Sequence, residues 1–425
     1  MDEKLLHFIW KNALFDATNL YTTSHEKVLI HHVGTHNGNE GPDFVNCKIT
    51  IGNVAWQGSV EIDLYSSGWH SHKHHLHAMY ETVILHVVWH DDHTIIRADG
   101  TQIPTLLLKN VVRTDILLRA NGLMKNSDDI PCQSQWQDIE PVVKYTMIDK
   151  AMAERLKRKA ASIETIFNKY INDWQQTTYA MICTHMGYKV NNEAFAMLAE
   201  RLPYKIIAKH THNLFELEAL LLGISGLIYD AKDEYRQKLF TEWKYLCNKY
   251  SLHDVQMHRH HWNLLRLRPA NLPVVRLVQL AALLHHMPHI VDIVSYPHLA
   301  DSLQTMMRSE VSDFWQKNAI FDSEIDNQKL NMGSESINSL IINAIVPVMV
   351  FYAQYHSHQW FMDKAINILE NIDAENNIIT KKWKKLGTPS KNSSDSQGLI
   401  ELYNEYCMHK RCIECHIGYQ LIAAQ

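Results

Sequence analysis

Asp43, Glu61 and Asp63 stand just ahead of a histidine-rich run, His70, His72, His74, His75 and His77. Carboxylates that converge repel one another unless a cation lies between them. Hard oxygen ligands with open positions suit Mg²⁺ or Mn²⁺, and such a site can activate water against a phosphodiester. Asp43 and Glu61 are therefore candidate metal ligands, with Asp63 as a third ligand or as the group that positions water. The imidazoles offer a second chemistry: three or more could hold Zn²⁺, and one could act as general base beside Glu61. His72 and His75, at helical spacing, are the candidates there. Consecutive histidines are more often surface residues than ligands, and His86 within Leu85–Val88 reads as a core residue. Lys48 and Trp69 are the candidate substrate contacts of this stretch.

What must position these groups is a hairpin. Gly52-Asn53 separates two β-rich runs, a two-residue turn signal. On the return strand Val54, Trp56, Gly58, Val60, Ile62 and Leu64 share one face, while Glu61 and Asp63 project from the other. A tight turn pairs Ile51 with Val54 and places Asp43 opposite Ile62, on the wrong face for Glu61. The expectation is one extra residue on the return strand, at Gly58, since a glycine inside a strand often marks a bulge. A break at Pro42 is the other route to bringing the acids together.

The elements around the hairpin follow in order. Asp2 to Phe15 reads as a helix, Lys27 to Val33 as a strand, His74–Thr82 as a helix and Val83–Trp89 as an apolar strand. A further hairpin is expected at Asp99-Gly100 and a strand at Pro104–Leu108. Helix, three strands, helix, strand, with Pro42-Asp43 ahead of Glu61-x-Asp63, resembles the PD-(D/E)XK nuclease superfamily over the first quarter of the chain. The resemblance implies a restriction-endonuclease-like sheet, a divalent cation and a nucleic-acid substrate. It departs where that superfamily carries lysine two residues after the second acid, since this chain has Asp63; Lys48, Lys73 or a nearby histidine would have to substitute. A narrower resemblance rests on GPDF (41–44), GSVEI (58–62), the Trp-His-His segment, LHVVW (85–89), RPANLP (268–273) with Arg276, and the C-terminal cysteines. These are similar to the uncharacterised bacterial domain-of-unknown-function family 2851. That family carries His at the position of Asp63 and Ser-Asp-Trp where this chain has Ser67-Gly68-Trp69, so part of the implied site is altered here.

Cys407, Cys412 and Cys415 supply three thiols near the C-terminus, and a CxxC pair places two thiolates for one metal. Cys132, His409 or His416 could be the fourth ligand. Cys132 with the trio loosely resembles the iron–sulfur layout of some nucleases of that superfamily. Zinc or an iron–sulfur cluster is the functional reading, and buried reduced thiols are the other. Arg266, Arg268 and Arg276 surround the Pro269–Pro273 break before a helix at Val274–His286. They could hold a phosphate or carboxylate, or clamp the helices through buried ion pairs. Arg155, Lys157, Arg158 and Lys159 lie on a long helix, Val142–Tyr170, as a solvated face or a track for phosphates.

The 425 residues, 46% hydrophobic and 20% charged, suit a globular protein of two to three domains. A net charge of −5 exerts no global pull on nucleic acid, so any such contact must be local. The 28 histidines would gain protons just below neutral pH. The N-terminus lacks the apolar core of a secretion signal, and Ile341–Ala353, interrupted by Asn343 and Pro347, is too short to cross a bilayer. No membrane association and a cytoplasmic location are expected, and seven cysteines there argue against a disulfide framework. The expected architecture is α+β: a restriction-endonuclease-like mixed sheet flanked by helices over 1–110, an all-helical domain over 111–386, and a linker with a cysteine-bearing helix over 387–425.

Overall fold

The computed structural model describes residues 1–97, 99–228, 233–295, 300–320, 323–324 and 330–424. The chain is mixed α and β, with an N-terminal seven-stranded sheet followed by a helical region. It divides into two compact units, 1–148 with 402–425, and 149–401. The helix after the sheet and the C-terminal segment share a core with the strands.

In the first unit α1 (Glu3–Lys11) begins where Asp2 accepts a hydrogen bond from the Leu5 amide at 2.8 Å. It ends earlier than the expected Phe15 because Ala13 takes a left-handed φ of 49°. Its Leu5, Leu6, Ile9 and Trp10 are fully buried against the sheet. The strands are β1 (Leu20–Tyr21), β2 (Lys27–His32), β3 (Thr35–His36), β4 (Phe44–Ile51), β5 (Val54–Tyr65), β6 (Val83–His90) and β7 (Thr105–Leu107). They lie in the order β1-β2-β4-β5-β6-β7, with β3 beside β4. β2, β4 and β5 form an antiparallel meander, and β5, β6 and β7 run parallel. Val60, Ile62, Leu85 and Val87 join the α1-side core. On the opposite face Trp69, Val83, Ile95 and Ile103 form a smaller apolar layer. Alternation therefore sends Glu61 and Asp63 toward that second layer.

The hairpin turns at Gly52, whose φ is +58°, and pairs Ile51 with Val54 as expected. The extra residue lies on the other strand. Cys47 pairs with Gly58 but Phe44 pairs with Val60, so β4 carries the bulge, with Asn46 in the left-handed region at φ 60°. An insertion on the outgoing strand lowers the register sum by one, which sets Asp43 against Glu61; one on β5 would have set it against Asp63. Gly58 is needed for another reason. A Cβ there would lie 2.5 Å from the Thr82 carbonyl and from Ile84, where β6 itself slips register against β5.

The crossover from β5 to β6 departs from the expected single helix. It runs through α2 (Gly68–Ser71) and two 3₁₀ turns, His74–Leu76 and Ala78–Thr82. Lys73, with φ 63°, and extended His77 interrupt it. The unit continues through α3 (Thr114–Met124) into α4 (Pro141–Lys169), and its C-terminal helix, His416–Ala423, packs on α3.

The second unit is helical, built around a core that includes Leu217, Leu220, Val278 and Ile345. One of its helices spans Leu214–Ile224. Two short helices, Ala300–Met307 and Asp313–Lys317, follow. Gly223 allows a close approach between helices, since a Cβ would fall 2.1 Å from Trp243. Ser393–Glu401, expected as linker, is a buried helix. Ser334–Tyr355 is long and apolar enough to cross a membrane by composition, and 72% of its most apolar window is buried within the protein. A π-helical turn, Ile341–Ile345, precedes Pro347 and accommodates the missing N–H, so the helix continues through it.

Candidate metal centre

Asp63 sits in the middle of a histidine–carboxylate cluster. Its Oδ1 is 3.1 Å from His72 Nδ1 and its Oδ2 is 2.9 Å from His86 Nε2. Glu61 Oε1 is 3.0 Å from His74 Nε2. His72 and His74 are two residues apart and would diverge on a regular helix. The left-handed backbone of Lys73 between them turns both rings toward the acids. One donor atom each from Asp63, His72 and His74 lies within 4.8 Å of the other two.

Asp43 and Glu61 are joined through backbone hydrogen bonds. The Asp43 amide donates to Glu61 Oε2 at 3.1 Å, and Asp43 Oδ2 accepts from the Ile62 amide at 2.9 Å. Those two bonds hold the strand mouth closed below the bulge. The same Asp43 oxygen lies 3.2 Å from His7 Nε2, on the α1 face that also carries Glu3. Gly68 presses directly on the cluster, since a Cβ there would lie 2.5 Å from Asp63 Oδ1. Asp92 anchors the turn before it, accepting from the Ser67 amide at 2.9 Å and from the Ser67 hydroxyl at 2.8 Å.

Glu61 and Asp63 are 5% and 2% exposed, whereas the His72 side chain is half exposed, so the cluster opens to solvent on the His72 side. Burial, then the charges of Asp43 and Asp63, push the Glu61 carboxyl up to about 9. Burial and the Asp63 charge raise Glu3 as well. Burial alone would lower His7, but its contact with Asp43 and the charges of Asp43 and Glu3 raise it. Burial lowers His74, against the pull of Asp63 and Asp43. His7 Nε2, His74 Nε2, His86 Nδ1 and Trp69 Nε1 are buried without an aligned hydrogen-bond partner, although the first two are within ion-pair distance of a carboxylate. An imidazole pair with a carboxylate is a donor set that fits a divalent transition metal.

The residues read from the sequence divide accordingly. Asp43, Glu61, Asp63 and His72 come together. His75 does not: the interruption at Lys73 leaves it outside, its ring 4.9 Å from that of His70. Lys48 is exposed and pairs with Gln57, about 13 Å along β5 from Glu61 at the usual strand rise. Trp69 is buried beneath the histidines, with ring centroids 5.5 Å from His74 and 5.7 Å from His86, and offers no face to a substrate. His7, His74 and His86 complete the cluster. His86 pairs in register with Glu61 and is fully buried, so the expected core histidine has Asp63 as its partner. A histidine one turn after Glu3 on α1 was the available signal for His7; nothing local singled out His74.

The arginines belong to the helical unit. Arg276 is buried, donating to Asn271 Oδ1 at 2.7 Å, Tyr188 Oη at 3.0 Å and Gln279 Oε1 at 3.0 Å, so its clamp is made of neutral partners rather than ion pairs. Arg266 and Arg268 are exposed. The basic run on α4 is partly engaged within the unit: Arg155 and the exposed Arg158 share Glu401, Lys159 donates to Asn343 at 2.8 Å, and Lys157 is exposed. Cys132, Cys407, Cys412 and Cys415 line a single cavity in the first unit.

No curated protein and no solved structure matches the chain significantly. The family model described as a protein of unknown function, DUF2851, matches residues 3–378. The chain belongs to the DUF2851 family.

Proposed function

We propose that the protein is a divalent-metal-dependent hydrolase of phosphodiesters, with nucleic acid as the substrate class. The observation that carries this reading is the convergence of Asp63, His72 and His74 donors beside Glu61 and Asp43 at the end of the central strand. Two antiparallel hairpin strands followed by a parallel one, with Asp43 set against Glu61, support the PD-(D/E)XK likeness. Imidazoles among the donors favour Zn²⁺ or Mn²⁺ over Mg²⁺. A divalent ion held there would supply Lewis acidity and a water acidified toward neutrality. Asp63 would be oriented by His86, as an outer partner orients a ligand. His7, made more basic by Asp43, is a group beside the acids able to take a proton.

The test is cleavage of single- and double-stranded DNA and RNA by purified protein with each of the three cations. Cleavage with Mn²⁺ or Zn²⁺, abolished in Asp63→Asn and His74→Ala, is the expected result. Undiminished cleavage by both variants would remove this cluster from the chemistry. The absence of a lysine after Glu61 favours a second reading, a nuclease-like scaffold that binds nucleic acid or a protein without cutting. Calorimetry separates the two: no heat of binding at millimolar cation favours the binder.

A further inference from the structure

Four cysteines distant in sequence meet in the first unit. Cys407 ends a π-helical turn, Leu402–Cys407; Cys412 opens a 3₁₀ turn, Cys412–Glu414; and Cys415 precedes the helix His416–Ala423. Cys132 arrives from the loop before α4. That loop is tied to the C-terminal segment by Lys410, whose Nζ donates to the Asp128 carbonyl at 2.5 Å. Gly418 is required for the closure, since a Cβ would fall 1.9 Å from the Cys412 carbonyl oxygen. The thiols feel one another: burial, then Cys415 and Cys412, push Cys132 up to about 12, and burial, then Cys415, push Cys412 up to about 11. Burial raises Cys407 as well, followed by the charges of Cys132 and Cys415. None of the seven cysteines is in a disulfide.

The spacing distinguishes among metals. A single tetrahedral zinc with bonds of about 2.3 Å draws its sulfurs to within about 3.8 Å of each other. Among the described residues, only Asp63, His72 and His74 form a group of three donors within 4.8 Å, so the four sulfurs stand wider apart than one zinc would hold them. The void between them, about 20 Å³, understates the room available to bonded atoms, which approach sulfur far more closely than water does. Arg411 lines the cavity with its guanidinium paired to Glu414.

We propose that Cys132, Cys407, Cys412 and Cys415 ligate an iron–sulfur cluster that fastens the C-terminal segment to the sheet unit. Ligation replaces each thiol proton, released to solvent, with a sulfur–iron bond, and the thiolates undergo no net oxidation. The inference does not rest on the chemistry proposed for Asp63.

The experiment is anaerobic purification of the full chain, with iron, acid-labile sulfide and zinc measured alongside the visible spectrum. Iron and sulfide in equal amounts, with a visible band bleached by dithionite, are expected. Cys132→Ser and Cys415→Ser should lose both, while Cys183→Ser, a buried thiol of the helical unit, should keep them. If the variants fail to fold, the sulfide content of the unaltered protein decides. Asp63→Asn should leave sulfide unchanged, which separates cluster iron from iron bound at the histidine site. Stoichiometric zinc without sulfide would overturn the proposal, as would folded protein that takes up neither iron nor sulfide on anaerobic reconstitution.

Discussion

Asp63 is held from three sides, by His72, His86 and the bare backbone of Gly68. Its neighbour Glu61 accepts from the Asp43 amide and meets His74, yet sits in a site that opposes its charge. The folded, metal-free protein keeps the Glu61 proton up to about pH 9, whereas an unfolded chain releases it near 4.5. Between those values each rise in pH favours unfolding, and above about 9 the penalty is complete. Glu61→Gln should therefore leave chelator-treated protein nearly unchanged at about pH 5 and stabilise it by about 2 kcal/mol at about pH 9, less than the full shift because neighbouring carboxylates share the proton. Urea unfolding at the two pH values checks this, and an equal effect at both would contradict it. Asp43, Glu61, Asp63 and His72 could be read as candidates because acids and histidines in one short stretch announce themselves. His74 and His86 could not be ranked above their neighbours, because which imidazole faces the acids depends on one left-handed backbone at Lys73.

At the scale of elements, the bulge in β4 and the broken crossover do the positioning. A carboxylate faces its partner only in the correct register, and one residue of slip sends it to the other face. The hairpin turn was legible from Gly52-Asn53, but glycine was a misleading guide to the bulge. Asn46 tolerates the left-handed conformation as glycine does, and Gly58 is small because Thr82 and Ile84 crowd it. Gly68 is the corresponding constraint on α2. Gly68→Ala should push Asp63 off His72 and His86 and weaken divalent-metal affinity by about 10- to 100-fold, the usual effect of disturbing a ligand's surroundings. Calorimetric titration measures it; unaltered affinity would mean that Asp63 does not bind the ion.

At the scale of the molecule, the sheet unit is assembled from both ends of the chain. Ile422 is fully buried in the α1-side core, and the Tyr419 ring meets Phe8 edge-on at 6.2 Å. Removal of residues 402–425 should therefore expose that core and raise hydrogen exchange in α1 and the strands, with less effect on the helices of 149–401. Protection of α1 unchanged by the truncation would show that the C-terminal helix is dispensable.

Local chemistry in the sequence sufficed for the strand–turn–strand of the hairpin, the run of amphipathic helices after it, and the identity of the acids and thiols, because alternation, helical periodicity and turn residues act over a few positions. Only the tertiary structure decided that the bulge falls on β4, that His74 rather than His75 turns inward, that part of the basic face of α4 is occupied by Glu401 and Asn343, and that Cys132 meets the C-terminal trio. Each of these depends on contacts between segments far apart in the chain, where side-chain direction is set by packing and register rather than by neighbours in sequence.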